Sequence, residues 1–330
     1  MKKVLKWFAV IVIIVAAIAG SGVGYLKFML PDVGKAPELK VEITSARVAR
    51  GEYLANAVNV CMDCHSRRDW SAFAGPMIPG TEGGGGEVFN RDMGFPGVFY
   101  SRNITPAGLG SWTDGEIYRA ITAGVNKDNE ALFPVMPYHY YGSMDNEDVY
   151  SLIAYLRSLK PVQSTIAKRE MDFPVNLIVN TIPHKGTPTP RPDPADTLAY
   201  GRYMVNASGC VECHTKANDK GQIIAGMEFA GGREFKMPGG TLRTPNLTPD
   251  ATGIGYWDRA KFIRTFKQYQ DSTYHSPKLG PADFNTIMPW TMYAKMTEAD
   301  LASIYAYLRT IKPMKNELVK FTAGAATASN

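Results

Sequence analysis

Two five-residue stretches of the same pattern carry the residues whose chemistry can be recognised. Residues 61–65 read Cys-Met-Asp-Cys-His and residues 210–214 read Cys-Val-Glu-Cys-His, so each is a C-x-x-C-H sequence. Two thiols on one turn of backbone can add to the two vinyl groups of a haem, and the histidine that follows can bind the iron. The spacing therefore predicts two covalently attached haem c groups, held by Cys61, Cys64, His65, Cys210, Cys213 and His214.

Two other uses of paired cysteines remain open, a redox dithiol and half of a zinc site. A zinc site needs two further ligands at matching spacing, and a thioredoxin-like dithiol needs no histidine after its second cysteine. The two motifs use all four cysteines of the chain, so no thiol is left for a structural disulfide. Haem attachment explains the pattern best. Because haem is attached to such motifs outside the cytoplasmic membrane, the haem-bearing part is predicted to face the periplasm.

The two motifs belong to two halves with the same order of sequence features. Asn-Ile-Thr-Pro at 103–106 returns as Asn-Leu-Thr-Pro at 246–249, and the run 154–161 returns as 306–313. Such self-similarity predicts a duplicated domain with one haem in each copy. The predicted organisation is a membrane anchor or signal at 1–30, a tether at 31–44, a first domain at 45–161, a Pro-rich linker at 162–195, a second domain at 196–313 and a disordered tail at 314–330. Within the linker, the stretch 172–178 is apolar enough to pack on a domain.

Each haem iron has a second axial position, and Met136 and Met288 are the predicted ligands. Each is followed by proline, and each stands 25 positions before the proline that ends its half, Pro161 or Pro313. A thioether opposite histidine raises the potential of a haem and completes the coordination of the iron. The alternatives are that both methionines fill the core, or that His139 replaces Met136 in the first half.

The N-terminal segment has the composition of a membrane span. Lys2, Lys3 and Lys6 precede an uncharged run of 20 residues from Trp7 to Leu26. Twenty helical residues cover about 30 Å, the thickness of one hydrocarbon core. Basic residues before the run place the N-terminus inside and the remainder outside. A single anchor in the inner membrane is predicted, and the alternative is a cleaved signal peptide with its cleavage site near residues 17–19.

Local patterns predict the helices that position the motifs. One helix is expected from residue 46 to residue 60, directly before the first motif, and another is expected to begin with Thr113 or Asp114 as its N-cap. Gly51 and Gly201 are expected to let the first helix of each half approach the last helix closely.

The composition of the chain indicates how many domains it can form and argues against nucleic-acid binding. The chain has 330 residues, of which 45% are hydrophobic, and this is enough for two domains that each bury a core. The formal charge is +5, and no basic stripe with interleaved aromatic residues occurs. Nucleic acid is therefore not expected among the partners.

The sequence resembles a known family. Both halves are similar to class I cytochrome c domains, which implies a mainly α fold with two tandem domains after an N-terminal transmembrane helix. The finer pattern resembles the cytochrome c subunit of bacterial membrane-bound dehydrogenases that oxidise alcohols or sugar acids. The matching stretches are Arg-Gly-Glu-Tyr-Leu at 50–54, Asn-Ile-Thr-Pro at 103–106, Phe-Pro-Val-Met-Pro-Tyr at 133–138 and Asp-Phe-Pro-Val-Asn at 172–176. Subunits of that family carry three haem domains, whereas this sequence contains two motifs.

These features predict a membrane-anchored dihaem cytochrome c that relays single electrons in a respiratory chain. The expected donor is a dehydrogenase or a quinol-oxidising complex, and the expected acceptor is a terminal oxidase or a soluble cytochrome. The protein is not expected to be an enzyme in its own right. One alternative is a dihaem peroxidase, which needs an iron with an open axial position. The other is a structural haem subunit of a larger respiratory complex.

Overall fold

The chain is mainly helical, as predicted, in the computed structural model, which describes residues 1–218, 221–271 and 273–324. The α-helices in chain order are α1 (Lys2–Phe28), α2 (Ser45–Tyr53), α3 (Cys61–Cys64), α4 (Pro106–Leu109), α5 (Asp114–Ala123), α6 (Tyr138–Tyr141), α7 (Asn146–Ser158), α8 (Val175–Ile178), α9 (Thr197–Ala207), α10 (Cys210–Cys213), α11 (Arg259–Lys267), α12 (Trp290–Tyr293) and α13 (Glu298–Leu308). A π-helical segment at Leu54–Val58 continues α2 toward the first motif, and 3₁₀ turns occupy Arg91–Met93 and Val179–Thr181.

Two small three-stranded sheets accompany the helices. The strands in sheet order are β1 (Val88–Phe89), β2 (Gly97–Tyr100) and β3 (Glu170–Met171) in one sheet, and β4 (Glu234–Met237), β5 (Gly240–Arg243) and β6 (Phe321–Ala323) in the other. In the second sheet β6 pairs antiparallel with β5, with Thr241 opposite Thr322. The prediction of disorder from residue 314 onward is therefore wrong for β6, because its backbone is bonded to a neighbouring strand. Residues 325–330 lie outside the described part of the chain.

The chain divides into two compact units that do not follow the order of the sequence. One unit, called the anchor-bearing unit because it contains the predicted anchor, consists of Met1–Lys40, Trp112–Ser143 and Met171–Thr187. The other, called the motif-bearing unit, consists of Val41–Ser111, Met144–Glu170 and the chain from Pro188 onward. Both C-x-x-C-H motifs lie in the motif-bearing unit. The domain boundaries at 45–161 and 196–313 come from the sequence repeat and stay a prediction.

The anchor-bearing unit begins with α1, a helix of 27 residues without a buried residue. Its most apolar window has a mean hydropathy of 2.4, so α1 is long and apolar enough to cross a membrane, as a signal sequence also is. After α1 the tether passes α5 so closely that a Cβ atom on Gly115 would lie 1.8 Å from the carbonyl oxygen of Pro37. Thr113 is the N-cap of α5 and forms a capping box with Glu116, which confirms one of the two predicted caps.

In the motif-bearing unit, each helix that leads toward a motif crosses a later helix at a glycine. A Cβ atom on Gly51 of α2 would lie 1.9 Å from the carbonyl oxygen of Ser151 in α7. Likewise, a Cβ atom on Gly201 of α9 would lie 2.0 Å from the carbonyl oxygen of Ser303 in α13. Only a residue without a side chain lets the two backbones come so close. The close approach predicted at both glycines is confirmed.

The two pairs of crossed helices are joined by a reciprocal exchange of tyrosines. Tyr53 on α2 donates its hydroxyl hydrogen to Asp300 on α13, and Tyr203 on α9 donates to Asp148 on α7 with an Oη–Oδ2 distance of 2.7 Å. Each hydroxyl oxygen also accepts a hydrogen bond from the backbone N–H of the N-cap residue of the helix it reaches, over 3.0 Å and 3.2 Å respectively. Burial and the nearby carboxylate raise the pKa of both tyrosines, so both remain donors at neutral pH.

Asp148 is also the point at which the end of the predicted linker is fixed. Its carboxylate is fully buried and forms two ion pairs. The Nη–Oδ distance is 2.9 Å to Arg50 and 2.6 Å to Arg191, which belongs to the predicted linker. Burial opposes ionisation of Asp148, but hydrogen bonds and charges from Arg50, Tyr203 and Arg191 outweigh burial and lower its pKa. The carboxylate is therefore ionised in the folded protein and holds three segments of the chain together.

Replacing Gly51 with alanine should force α2 and α7 apart. Because the new methyl group would overlap the carbonyl of Ser151, we expect the free energy of unfolding to fall by about 1–3 kcal/mol, the usual cost of overpacking. Chemical denaturation followed by circular dichroism measures the loss. The control is Gly22→Ala in α1, where no atom lies within 4 Å of the added Cβ. Equal stability of the two variants would contradict the crossing as described.

Candidate haem-binding sites

Each C-x-x-C-H motif forms one short helical turn, α3 or α10, with a cysteine at either end. Each turn starts from a residue in the left-handed region, Val60 at φ 47° and Gly209 at φ 62°. Glycine adopts this conformation at no steric cost, whereas it is strained for a β-branched residue such as Val60. Strain of this kind persists only where the surrounding structure imposes it, and it is often found at functional sites.

The two motif histidines are oriented by the same type of hydrogen bond. His65 Nδ1 lies 2.7 Å from the carbonyl oxygen of Arg102, and His214 Nδ1 lies 3.0 Å from that of Pro245. A carbonyl oxygen only accepts hydrogen bonds, so Nδ1 carries the hydrogen in both rings and Nε2 keeps its lone pair. Burial lowers the pKa of both imidazoles, which keeps them neutral. A neutral imidazole held through Nδ1–H is the form that binds a metal.

The four thiols are half-buried and are not activated. Burial raises the pKa of Cys61, Cys64 and Cys210 to about 12 and that of Cys213 to about 11. A redox dithiol works with a lowered thiol pKa, so this environment does not suit one. It suits cysteines whose sulfur atoms end in uncharged thioether links to a haem.

Met136 and Met288 are held in the same local turn. The N–H of Tyr138 donates to the carbonyl oxygen of Met136, and the N–H of Trp290 donates to that of Met288, both over 2.8 Å. The prolines between them have φ and ψ of −81° and 51° in the first turn and −79° and 66° in the second. These are the angles of an inverse γ-turn, which the fixed φ of proline favours. Both methionines are half-buried.

The two methionines belong to different units. Met288 lies in the motif-bearing unit with His214, whereas Met136 lies in the anchor-bearing unit and His65 in the motif-bearing unit. His139, the alternative ligand, lies in α6 against the ring of Tyr140, with 4.1 Å between the ring centroids. The assignment of Met136 and Met288 as iron ligands stays a prediction.

An acidic residue inside each motif is paired with an arginine, and the sequence analysis missed both pairs. The Asp63 carboxylate lies 2.9 Å from Arg68, and both side chains are buried, with 7% and 6% exposed. The equivalent acid Glu212 pairs with Arg233, and these side chains are 28% and 20% exposed. Burial raises the pKa of Asp63 to about 6, and Arg68 limits the rise, so the pair is charged at pH 7. An acid at the third position of both motifs was the available sequence signal.

The two motif turns are neighbours in the motif-bearing unit. The side-chain amide of Asn59, two residues before Cys61, donates to the carbonyl oxygen of Ala207 over 3.0 Å. Ala207 ends α9, three residues before Cys210. The chain thus brings the start of one haem motif into direct contact with the approach to the other.

The described residues fit two haem groups and suggest no other metal site. Each motif offers two thiols on one turn and a neutral imidazole with Nε2 available. Among the residues that the structure describes, no group of three or more His, Cys, Asp and Glu side chains is arranged to hold a metal ion. The half-zinc-site alternative therefore finds no further ligands in this part of the chain.

Comparison with known proteins agrees with the chemistry of the motifs. Residues 198–312 match the family model for cytochrome c, so this part of the chain is similar to a cytochrome c domain. The chain as a whole is similar to the cytochrome c subunit of a quinone alcohol dehydrogenase from Komagataeibacter europaeus, with 28% identity over 86% of this chain and 60% of that subunit. It is also similar to the fructose dehydrogenase cytochrome subunit of Gluconobacter japonicus, with 30% identity over 82% of this chain and 53% of that subunit.

A shorter relative matches over most of its own length. The diheme cytochrome c-type protein of Cereibacter sphaeroides is 28% identical over 83% of this chain and 89% of that protein. The chain spans only about half to three fifths of the length of the dehydrogenase subunits that it matches. The resemblance to cytochrome c subunits of dehydrogenases, predicted from sequence, is confirmed.

The two acid–arginine pairs allow a matched test of burial. We expect Arg68→Ala to lower the free energy of unfolding by about 3–5 kcal/mol, because it removes the ion-pair partner of the buried Asp63. Arg233→Ala should cost about 0–1 kcal/mol, because its partner is more exposed. Denaturant titration of each variant against the unsubstituted protein measures the two losses. Equal losses would show that burial does not distinguish the pairs.

Proposed function

We propose that the protein is a membrane-anchored dihaem cytochrome c that relays single electrons in a respiratory chain. The proposed haem-bearing parts are two tandem class I cytochrome c domains at 45–161 and 196–313, on the periplasmic side of the inner membrane. Cys61, Cys64, Cys210 and Cys213 would hold two covalent haem c groups, with His65 and His214 as their first axial ligands. When bound, each haem supplies an iron that changes reversibly by one electron.

The observation that carries this proposal is the contact between Asn59 and Ala207. Because these residues stand next to the two motifs, the chain holds its two candidate haem-binding turns side by side. The tyrosine exchange between Tyr53, Asp300, Tyr203 and Asp148 fixes the supporting helices in the same arrangement. A rigid pair of neighbouring sites is what a relay between two cofactors requires.

The second axial ligands favour a relay over an enzyme. Met136 and Met288 lie in backbone turns of the same type, each followed by a proline, and a thioether bound opposite the histidine would fill the iron's coordination. A dihaem peroxidase needs one iron with an open or easily vacated axial position. Because the two methionine turns are alike, neither proposed site is marked out as the one with an open axial position.

The relatives support a dehydrogenase as electron donor. Several are named as cytochrome c subunits of quinone alcohol, fructose and gluconate dehydrogenases. By analogy, this chain would accept electrons from a dehydrogenase or from a quinol-oxidising complex. The acceptor would be a terminal oxidase or a soluble cytochrome. A permanent place in a larger respiratory complex is compatible with the same chemistry.

Removing one methionine should change one haem only. We expect Met288→Ala, and separately Met136→Ala, to make one of two low-spin irons high-spin and able to bind carbon monoxide. The potential of that haem should fall by part of the roughly 0.8 V over which axial ligands set haem potentials. Absorbance spectra with carbon monoxide and a spectroelectrochemical titration measure both effects.

The control for this substitution is Met227→Ala, which removes another half-buried methionine of the motif-bearing unit. It should leave both haem spectra unchanged. A high-spin iron in the unsubstituted protein, or rapid turnover of peroxide, would contradict the relay and favour the peroxidase.

The anchor predicts that the protein is an integral membrane protein. Because α1 is apolar enough to span a bilayer, the protein should stay in the membrane fraction after washing with high salt or carbonate. N-terminal sequencing of the purified protein should find residues 1–28 retained. A soluble protein whose mature chain begins near Gly20 would replace the anchor with a cleaved signal.

A further inference from the structure

An exposed apolar surface lies beside the end of α1 in the anchor-bearing unit. α8 and the 3₁₀ turn that follows it pack against α1, and the Asn180 side chain donates to the carbonyl oxygen of Leu26 over 3.0 Å. In the same stretch of chain, Phe173 is 80% exposed, Ile178 47% and Ile182 36%. We refer to these three side chains as the interfacial patch.

The interfacial patch flanks a short helical segment: Phe173 precedes α8, Ile178 ends α8, and Ile182 follows the 3₁₀ turn. Ile178 and Ile182 stand on either side of the 3₁₀ turn in the sequence, and both side chains are exposed. Val179, which follows Ile178, is buried and packs toward the unit. Phe28 and Met29 at the end of α1 are 77% and 65% exposed and extend the apolar area along the chain that leaves α1.

We propose that the interfacial patch inserts into the outer boundary of the lipid bilayer, between the headgroups and the acyl chains. This proposal rests on the proposed membrane anchor. Leu26 is the last residue of the apolar run before Lys27, so its carbonyl group marks where α1 leaves the hydrocarbon. The hydrogen bond from Asn180 holds the helical segment at the same depth.

Two observations favour lipid as the partner of the interfacial patch. The patch lies in a segment that packs against α1, and exposed lysines stand near it in the sequence. Interfacial helical segments bury an apolar face about 5–10 Å into the boundary and keep basic residues near the headgroups. Lys27, directly after Leu26, and Lys185, three residues after Ile182, are both exposed and can meet anionic headgroups. The rest of the anchor-bearing unit is fixed to the segment, because Gly186 meets the backbone of Gly142 so closely that an added Cβ would lie 2.7 Å from its carbonyl oxygen.

Spin labels on the full-length holoprotein test the depth of the interfacial patch. Since haem attachment uses all four native cysteines, a new cysteine is the single labelling site, and the unsubstituted protein serves as the labelling blank. Ile178→Cys reports on the patch and Ile14→Cys on the middle of α1. Tyr256→Cys, at a side chain that is 84% exposed in the motif-bearing unit, is the aqueous control. Each labelled protein is placed in vesicles of phosphatidylcholine and phosphatidylglycerol.

Power saturation with oxygen and with a water-soluble nickel chelate then measures the access of each reagent. We expect the label at 178 to favour oxygen over nickel by several-fold more than the label at 256, and less than the label at 14. If position 14 is in lipid but position 178 is as open to nickel as position 256, the patch proposal is overturned and the anchor stands. If positions 14 and 178 both face water, the anchor fails as well. Shielding of position 178 from both reagents would mean that protein covers the patch, which also overturns the proposal.

Discussion

Direct contact between backbones at two glycines sets the geometry of the motif-bearing unit. At Gly51 and Gly201 no side chain can be accommodated, so α2 meets α7, and α9 meets α13, at the distance of their peptide groups. Each crossing fixes the helix that leads into a C-x-x-C-H turn. The position of the four thiols and two imidazoles therefore depends on a contact more than one helical turn away. In this position each motif histidine is neutral and donates a hydrogen bond from Nδ1 to a backbone carbonyl oxygen.

Buried charges in the motif-bearing unit are balanced by neighbouring groups of opposite charge or by hydrogen-bond donors. Two buried carboxylates of this unit have charged partners: Asp148 contacts two arginines and a tyrosine, and Asp63 in the first motif contacts Arg68. An unpaired buried carboxylate would be costly, whereas these paired groups are specific and keep their charge at neutral pH. Because the thiols nearby have raised pKa values, the surroundings favour neutral sulfur together with neutral imidazole. That combination is suited to holding a haem.

Sequence patterns were sufficient for features that depend on local chemistry. Two of these features are set by residues close together in the sequence: the spacing of Cys61, Cys64 and His65, and the helix cap at Thr113. The close contact at Gly51 could be predicted because the same glycine recurs in the second half. Long-range partners had no such signal. Tyr53 and Asp300 are 247 positions apart, and neither periodicity nor composition relates them. The same limit explains why the strand β6 was missed, since its partner β5 lies far away in the sequence.

The reciprocal tyrosines have a consequence for how the two repeats can behave as modules. The N-terminus of α13 is bonded by a tyrosine from α2, and the N-terminus of α7 by a tyrosine from α9. Neither repeat therefore contains all the partners of its own last helix. Loss of one repeat exposes an unsatisfied helix end and a carboxylate in the other, so local opening in one half should spread to both. The two halves of the sequence are therefore expected to unfold together, so that removing either one should destabilise the other.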